Sequence, residues 1–251
     1  MKYCDWNNPP EKLSLFKNEI HLWQASLDLP SVMIKKLARS LSEDERTRAN
    51  RFRFEQHRDR FIAGRGILRQ LLANYLQVES DCVIFEYSSR GKPQIASSLN
   101  QDNLQFNVSH SQDLALYGFT YQRIIGVDLE YIKDNIDYKQ LAKRFFTTQE
   151  LQLINSYPAR EQKTIFFQLW TAKEAYLKAT GDGLAVSLDT IEFSLDNNSE
   201  LNLVAIKQAK AQASHWLINN FIPQDNFIAT IAVENSSTIS DSIATKFFEY
   251  R

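Results

Sequence analysis

The segment IIGVDLEYI, residues 124–132, constrains the fold most, because it has the apolar content of a buried strand and yet contains two acidic residues. Side chains alternate between the two faces of a strand, so Asp128 and Glu130 share one face while Val127 and Leu129 share the other. Two ionised carboxylates this close repel each other unless a cation lies between them. The segment therefore predicts a strand with a cation beside its acidic face, and the alternative is an antiparallel sheet whose polar face is solvated.

Length and charge limit the function classes. The chain has 251 residues, enough for one large domain or two of about 100 to 150 residues each. Its formal net charge is −1, so no overall field attracts nucleic acid or a membrane surface. We expect a cytoplasmic protein, because the sequence has neither a signal-peptide pattern nor a run of about 18 apolar residues. Cys4 and Cys82 are too few for a disulfide framework or a zinc site.

Helices and antiparallel strand pairs are intermixed along the chain, which favours the α+β class. The polar tail beyond Glu234 is expected to be peripheral. The predicted strands are 20–27, 83–89, 104–111, 114–120 and 124–132, followed by two hairpins that pair 191–195 with 201–207 and 215–222 with 227–234.

Helix signals occur between these groups of strands. Capping-box patterns at 42–45 and 147–150 predict the starts of two helices. An arginine-rich segment, 46–69, leads into a helix with apolar residues at helical spacing. The longest predicted helix covers residues 161–180 and is followed by two glycines, Gly181 and Gly183, that end it.

The long helix contains three charged residues at informative positions. Glu174 and Lys178 are neighbours at the edge of its apolar stripe, whereas Lys173 falls near the centre of that stripe. Taken alone, the helix favours a surface ion pair worth about 0.3–0.5 kcal/mol and a Lys173 that extends its ammonium group to water. The alternative is that Glu174 supplies a third carboxylate to Asp128 and Glu130, because Mg2+ prefers oxygen ligands.

Two further clusters favour a ligand that carries phosphate. Residues 46–69 contain eight arginines and two acidic residues, a local balance of +6, and the arginine fork suits phosphate oxygens. Most of these arginines are nevertheless expected to be structural or solvated. The second cluster is FNVSHS, where Asn107, Ser109 and His110 bring hydrogen-bonding groups to the end of a strand, after the basic turn SRGKP at 89–93.

Five motifs in this order resemble the 4'-phosphopantetheinyl transferase superfamily, in its longer, surfactin-synthetase-type branch. The resemblance covers about residues 42–193. The motifs are S-R-G-K-P (89–93), F-N-V-S-H-S (106–111), G-V-D-L-E (126–130), F-F-T-T-Q-E (145–150) and W-T-A-K-E-A-Y-L-K (170–178).

The resemblance implies a function and an architecture. Members of this branch transfer the 4'-phosphopantetheine arm of coenzyme A to a serine of an apo acyl or peptidyl carrier protein and release adenosine 3',5'-bisphosphate. The implied fold is a pseudo-twofold pair of similar α+β lobes with the active site in the cleft between them. We assign residues 1–121 to the lobe on the nucleotide side of coenzyme A and 122–251 to the lobe with the metal site and the carrier-docking surface. With both lobes in one chain, we expect a monomer.

The resemblance also implies roles for individual residues. Asp128, Glu130 and Glu174 are expected to bind Mg2+, and Glu174 and Lys178 to be catalytic, with Glu174 as the candidate base. Lys173 has no implied role. The expected contacts to coenzyme A are Arg48, Arg90, Lys92, Asn107, Ser109, His110 and Lys178.

Carrier proteins of this system are typically acidic, so their docking surface is expected to combine basic and apolar groups. Residues 138–146 and those after Gly181 are the candidates, although Phe145 and Phe146 also suit a core. The sequence does not distinguish carriers of fatty-acid, polyketide and nonribosomal-peptide synthetases.

Two other function classes fit parts of the pattern. A Mg2+-dependent phosphohydrolase or nuclease would use the same carboxylates without a protein acceptor. A nucleic-acid-binding module would use the arginine-rich segment, but such modules are usually basic overall.

Overall fold

A computed structural model describes residues 1–183, 186–196, 200–206, 213–235 and 243–251, and it confirms the α+β class. The strands are β1 (Glu19–Ser26), β2 (Phe85–Tyr87), β3 (Pro93–Ile95), β4 (Leu104–Ser111), β5 (Leu114–Tyr121), β6 (Ile125–Tyr131), β7 (Ile191–Leu195), β8 (Leu201–Ile206), β9 (Trp216–Phe221), β10 (Phe227–Glu234) and β11 (Ala244–Glu249). The helices are α1 (Ser31–Ala38), α2 (Glu43–Ala49), α3 (Glu55–Leu76), α4 (Tyr138–Phe145), α5 (Thr148–Ser156) and α6 (Ala159–Thr180).

The two halves of the chain repeat one connectivity. A strand, three helices, a short hairpin and two more strands occur first as β1 to β5 with α1 to α3, and then as β6 to β10 with α4 to α6. Both sheets place the last strand of the repeat in the middle, in the orders β1-β5-β4 and β6-β10-β9. The third helix of each half has 22 residues. This repetition confirms the expected pair of similar lobes.

The two sheets pack face to face, and one long helix covers the outer face of each. Between the sheets lies an apolar cluster that includes Leu22, Leu116, Val127 and Leu129. Separate apolar cores form under α3 and under α6. Among the described helices, none is long and apolar enough to cross a membrane.

Helix α6 lies directly on strand β6. A Cβ atom at Gly126 would come within 1.9 Å of the carbonyl oxygen of Ala175 and 2.5 Å of the amide nitrogen of Ala179. Any side chain at position 126 would therefore push the helix away from the strand. The close approach places Glu174 and Lys178 of α6 above the acidic face of β6.

Lys173 fixes α6 from its buried side. Its side chain is 0% exposed, and its Nζ lies 2.8 Å from Oε2 of Glu150, which is equally buried. The ammonium group also donates to the backbone carbonyls of Leu188 and Ile191, while Oε1 of Glu150 accepts from the amide N–H of Phe193. The expectation that Lys173 extends to water is therefore wrong, because an internal carboxylate and two carbonyls replace its hydration.

The carboxyl-terminal tail differs from its prediction. Strand β11 pairs in parallel with β1 and so extends the sheet of the first lobe, although it lies in the range assigned to the second. Phe248 is buried against Trp23, and Phe247 packs on Trp6. A peripheral tail is therefore wrong for residues 243–249, because β11 pairs with the edge of β1 and its two aromatic side chains pack on opposite faces of the sheet. The part of the tail at 236–242 lies outside the described residues.

Candidate active site

The two carboxylates of β6 leave the strand on the side of α6, as the alternation predicts. Asp128 is bonded to Lys178 of α6, whereas Val127 and Leu129 point into the cluster between the sheets. Asp128 is only 4% exposed. A solvated outer face is therefore excluded at this position.

The two oxygens of Asp128 have different surroundings. Oδ1 accepts from Lys178 Nζ at 2.6 Å and from the hydroxyl of Ser109 at 3.3 Å. Oδ2 is buried and has no hydrogen-bond partner among the described residues. A buried carboxylate oxygen without a partner is costly and uncommon. It is therefore suited to accept a cation.

Three acidic side chains share one electrostatic field here. Burial and the charge of Asp128 raise the pKa of Glu130. Burial and the charge of Asp128 also raise the pKa of Glu174, with a smaller contribution from Glu130, while Lys178 opposes the shift. The single positive charge of Lys178 does not balance three carboxylates, so this donor set fits a hard divalent cation such as Mg2+.

The side-chain placement does not by itself form a finished metal site. In the described part of the chain, no group of three or more His, Cys, Asp or Glu side chains is arranged so that it could hold a metal ion. The ammonium group of Lys178 binds Asp128 instead of Glu174, so the predicted surface pair within the helix is replaced by a contact between helix and strand.

The basic turn of the first lobe contacts the carboxyl-terminal end of α6. Arg90 forms an ion pair with Asp182, and Lys92 Nζ donates to the carbonyl oxygen of Ala179 at 2.7 Å. Burial lowers the pKa of Lys92 to about 8. A cleft of about 300 Å³ between the lobes is lined by Arg90, Lys92, Asn107, Glu174 and Lys178 together with neighbouring apolar residues. The structure thus brings together five of the predicted site residues at one cleft.

Side chains of the FNVSHS motif form hydrogen bonds with strand β6 of the second lobe. The side-chain oxygen of Asn107 accepts from the amide N–H of Val127 at 3.0 Å. Ser109 accepts from the amide of Leu129 at 3.1 Å and from Lys178 at 2.8 Å. The side chain of His110 is accessible to solvent. Partial burial of its imidazole and the charge of Lys178 lower the pKa of the ring.

Arg48 is not brought to this cleft. It is exposed on α2, stacks 5.3 Å from the ring of Phe61, and lines a separate open groove with Arg51 and Phe52. Other arginines of this segment have structural partners, as expected, since Arg65 and Arg69 bind the buried carboxylate of Glu45.

Two residues at the site were missed. Ser111 donates to Oε2 of Glu130 at 3.3 Å and accepts from the amide of Tyr131 at 3.1 Å. Its signal was the period-two spacing from Asn107 through Ser109 to Ser111. Asp182, the partner of Arg90, gave no local signal because 92 positions separate the two residues.

Known proteins match both lobes of this arrangement. Residues 23–118 match a family model described as "4'-phosphopantetheinyl transferase, N-terminal", and residues 124–232 match one described as "4'-phosphopantetheinyl transferase superfamily". The 4'-phosphopantetheinyl transferase HetI of Nostoc sp. is 47% identical over 229 residues, which are 91% of this chain and 93% of that protein. The chain belongs to the 4'-phosphopantetheinyl transferase superfamily.

A more distant relative is also a 4'-phosphopantetheinyl transferase. The 4'-phosphopantetheinyl transferase psf-1 of Bacillus pumilus is 33% identical over 170 residues, 68% of this chain and 70% of that protein. The solved holo-[acyl-carrier-protein] synthase of Thermotoga maritima has a TM-score of 0.37 and 20% identity over 46% of this chain and 65% of that chain, a likeness too weak to support a conclusion.

The matches in both halves identify a long, two-lobed transferase, an enzyme that transfers the phosphopantetheine arm of coenzyme A to carrier proteins. Neither the phosphohydrolase or nuclease nor the nucleic-acid-binding module is favoured.

Proposed function

We propose that this transferase binds coenzyme A in the cleft between the basic turn at 89–93 and helix α6, and that transfer depends on Mg2+ at the acidic face of β6. The observation that supports this most directly is the buried, unpartnered Oδ2 of Asp128, which lies in the common field of Glu130 and Glu174. Such an atom is stabilised when a cation binds the carboxylates.

Asp128, Glu130 and Glu174 would hold the Mg2+, which usually takes only a few protein carboxylates and completes its shell with water and phosphate oxygens. When bound, the ion supplies neutralisation of the charge on the coenzyme's diphosphate. An ammonium group has three donors, and Lys178 uses two of them on Asp128 and Ser109. The third donor is the one that we assign to a phosphate oxygen of coenzyme A.

Glu174 is the proposed base. Its side chain lines the cleft together with Lys178, so its carboxylate can meet a hydroxyl group that enters there. It takes the proton of the carrier's serine hydroxyl, directly or through water, as the serine oxygen bonds to the phosphorus that bears the pantetheine arm. The bond from that phosphorus to adenosine 3',5'-bisphosphate breaks, and the bisphosphate leaves as the second product. Glu174 lies on a long helix that is fixed by Lys173, which suits accurate placement of its carboxylate.

The nucleotide end is assigned to residues of the first lobe. Arg90 and Lys92 line the cleft, and coenzyme phosphates would replace their present partners Asp182 and Ala179. His110 is exposed beside Lys178, which suits contact with a phosphate. The hydrogen-bonding groups of Asn107 and Ser109 already bind β6, so their contacts with coenzyme A, like that of Arg48, stay predictions from the motif.

The carrier would dock on α4 and the residues next to it. Lys143 and Arg144 are exposed, and the Arg144 guanidinium lies 4.9 Å from the ring of Phe145, which is partly buried. Phe146 is buried in the core, as expected for at least one member of the pair. This exposed basic and aromatic surface suits an acidic partner. The other predicted docking segment, after Gly181, includes residues 184 and 185, which lie outside the described residues.

The function is tested with a panel of purified apo carriers from fatty-acid, polyketide and nonribosomal-peptide synthetases. Each is incubated with the protein, coenzyme A and Mg2+, and the carriers are weighed by mass spectrometry. We expect at least one carrier to gain a phosphopantetheine arm, and we expect Asp128→Ala to abolish the gain while the protein remains folded. Near-wild-type turnover by Asp128→Ala would refute the metal assignment, and consumption of coenzyme A without any carrier would support a phosphohydrolase. We expect the enzyme to act in the cytoplasm as a monomer, and sedimentation analysis would check the oligomeric state.

A further inference from the structure

Strands β4 and β6 are neighbours across the two lobes but belong to different sheets. Side chains of β4 take the place of a backbone ladder between them. Asn107, Ser109 and Ser111, at every second position, accept from the amide N–H groups of Val127, Leu129 and Tyr131 at 3.0, 3.1 and 3.1 Å. The three side chains therefore set the register of one lobe against the other.

The two serines make a second contact that the asparagine does not. Ser109 donates to Oδ1 of Asp128 and Ser111 donates to Oε2 of Glu130, each at 3.3 Å. A hydroxyl has one proton, and here its oxygen already accepts from the backbone amide, so the proton is directed to the carboxylate. Each serine thus holds both a β6 amide and the carboxylate of the preceding residue.

The type of residue at each of these three positions of β4 depends on whether the opposing residue of β6 is acidic. Where β6 carries Asp128 or Glu130, the opposing β4 residue is a serine with a proton to donate. Where β6 has Gly126 and no carboxylate, the opposing residue is Asn107, whose Oδ1 only accepts from the next amide, that of Val127. A purely structural ladder would need an acceptor at each position but no hydroxyl group. Both hydroxyls of the ladder lie beside carboxylates and donate to them.

We propose that Ser111 is a positioning residue, which holds the carboxylate of Glu130 for the divalent cation from the opposite lobe, as Ser109 does for Asp128. The inference rests on the proposed metal site. Ligating carboxylates are commonly oriented by outer hydrogen bonds, and the loss of such a bond typically weakens metal binding by about 10- to 100-fold. Because the serines belong to the first lobe, cation affinity depends on how that lobe is seated against β6.

The experiment measures Mn2+ binding by electron paramagnetic resonance, at one fixed, saturating concentration of coenzyme A. We expect Ser111→Ala to weaken Mn2+ binding by about tenfold or more. Ser111→Thr retains the hydroxyl and is expected to bind Mn2+ as the wild type does. Trp6→Phe is the control, because it removes the lobe-to-lobe hydrogen bond from Trp6 Nε1 to the carbonyl oxygen of Pro223 (2.9 Å) at a position outside the cleft. It is expected to leave Mn2+ affinity unchanged, and urea midpoints verify that all variants fold.

The outcomes separate this inference from the proposed function. If the wild type modifies a carrier and binds Mn2+, while Ser111→Ala binds Mn2+ as tightly, the positioning role is overturned and the function stands. An equal weakening by Ser111→Ala and Trp6→Phe also overturns it, because the effect would then come from the register of the two lobes alone. If the wild type neither binds Mn2+ nor modifies any carrier, the proposed metal site fails and the inference fails with it.

Discussion

Replacing Lys173 with methionine tests whether a buried ion pair holds the helix that carries Glu174. Both side chains of the pair are fully buried, with Nζ of Lys173 2.8 Å from Oε2 of Glu150. Methionine fills much of the same volume, but it leaves the carboxylate of Glu150 with the amide donors of Thr147 and Phe193 and without its cation. Removal of one partner from a buried pair costs about 3–5 kcal/mol. That is a large part of the roughly 5–15 kcal/mol that stabilises a typical folded protein.

Urea unfolding measures the effect. We expect the midpoint to fall while the dependence of unfolding free energy on urea concentration stays the same. Lys163→Met is the control on the same helix, because its partner Asp134, at 3.0 Å, is exposed. Exposed pairs contribute about 0–1 kcal/mol. Adding Glu150→Gln to Lys173→Met is expected to recover part of the loss, because no unpaired charge then remains buried.

Two results would refute this reasoning. One is a loss of stability in Lys173→Met no larger than in Lys163→Met, which would mean that the Glu150 carboxylate does not need its cation. The other is a double variant whose loss of stability equals the sum of the losses in Lys173→Met and in Glu150→Gln alone, because the two residues would then act independently.

Three further predictions follow from contacts outside this pair. Burial lowers the pKa of His21 to about 4, so between pH 6.5 and about 4 the unfolded chain binds a proton that the folded chain does not. The neutral His21 imidazole therefore contributes about 3 kcal/mol to the free energy of unfolding above pH 6.5, and this contribution is lost as the pH falls through the window. Parallel pH profiles of the unfolding free energy for wild type and His21→Gln would contradict this. Asp182→Asn is expected to lower KM for coenzyme A, because it frees Arg90 to bind a phosphate of the coenzyme. The change is about two- to fivefold, because the exposed pair that is lost is weak, and an unchanged KM in steady-state kinetics would remove Arg90 from the coenzyme site. Lys143→Glu with Arg144→Glu is expected to raise KM for the carrier but not for coenzyme A, and an equal rise for both substrates would exclude docking on α4.

Much of this protein could be predicted from local sequence patterns. Both capping boxes form as expected, Ser42 with Glu45 and Thr147 with Glu150, because their hydrogen bonds join residues three positions apart. The alternation in β6 was also correct, since the geometry of a strand fixes which side chains share a face. The same patterns, taken in order along the chain, were enough to identify the family.

The tertiary structure alone decided which of these groups meet. Lys178 binds Asp128 rather than its helical neighbour Glu174, and Lys173 binds Glu150 inside the protein. Ser111 reaches Glu130 only because the two lobes place β4 beside β6. Helix caps and strand faces are set by the dihedral angles of a few consecutive residues, so they are visible in a short segment. Partners far apart along the chain are selected by the packing of whole elements, where one buried contact depends on all the others around it.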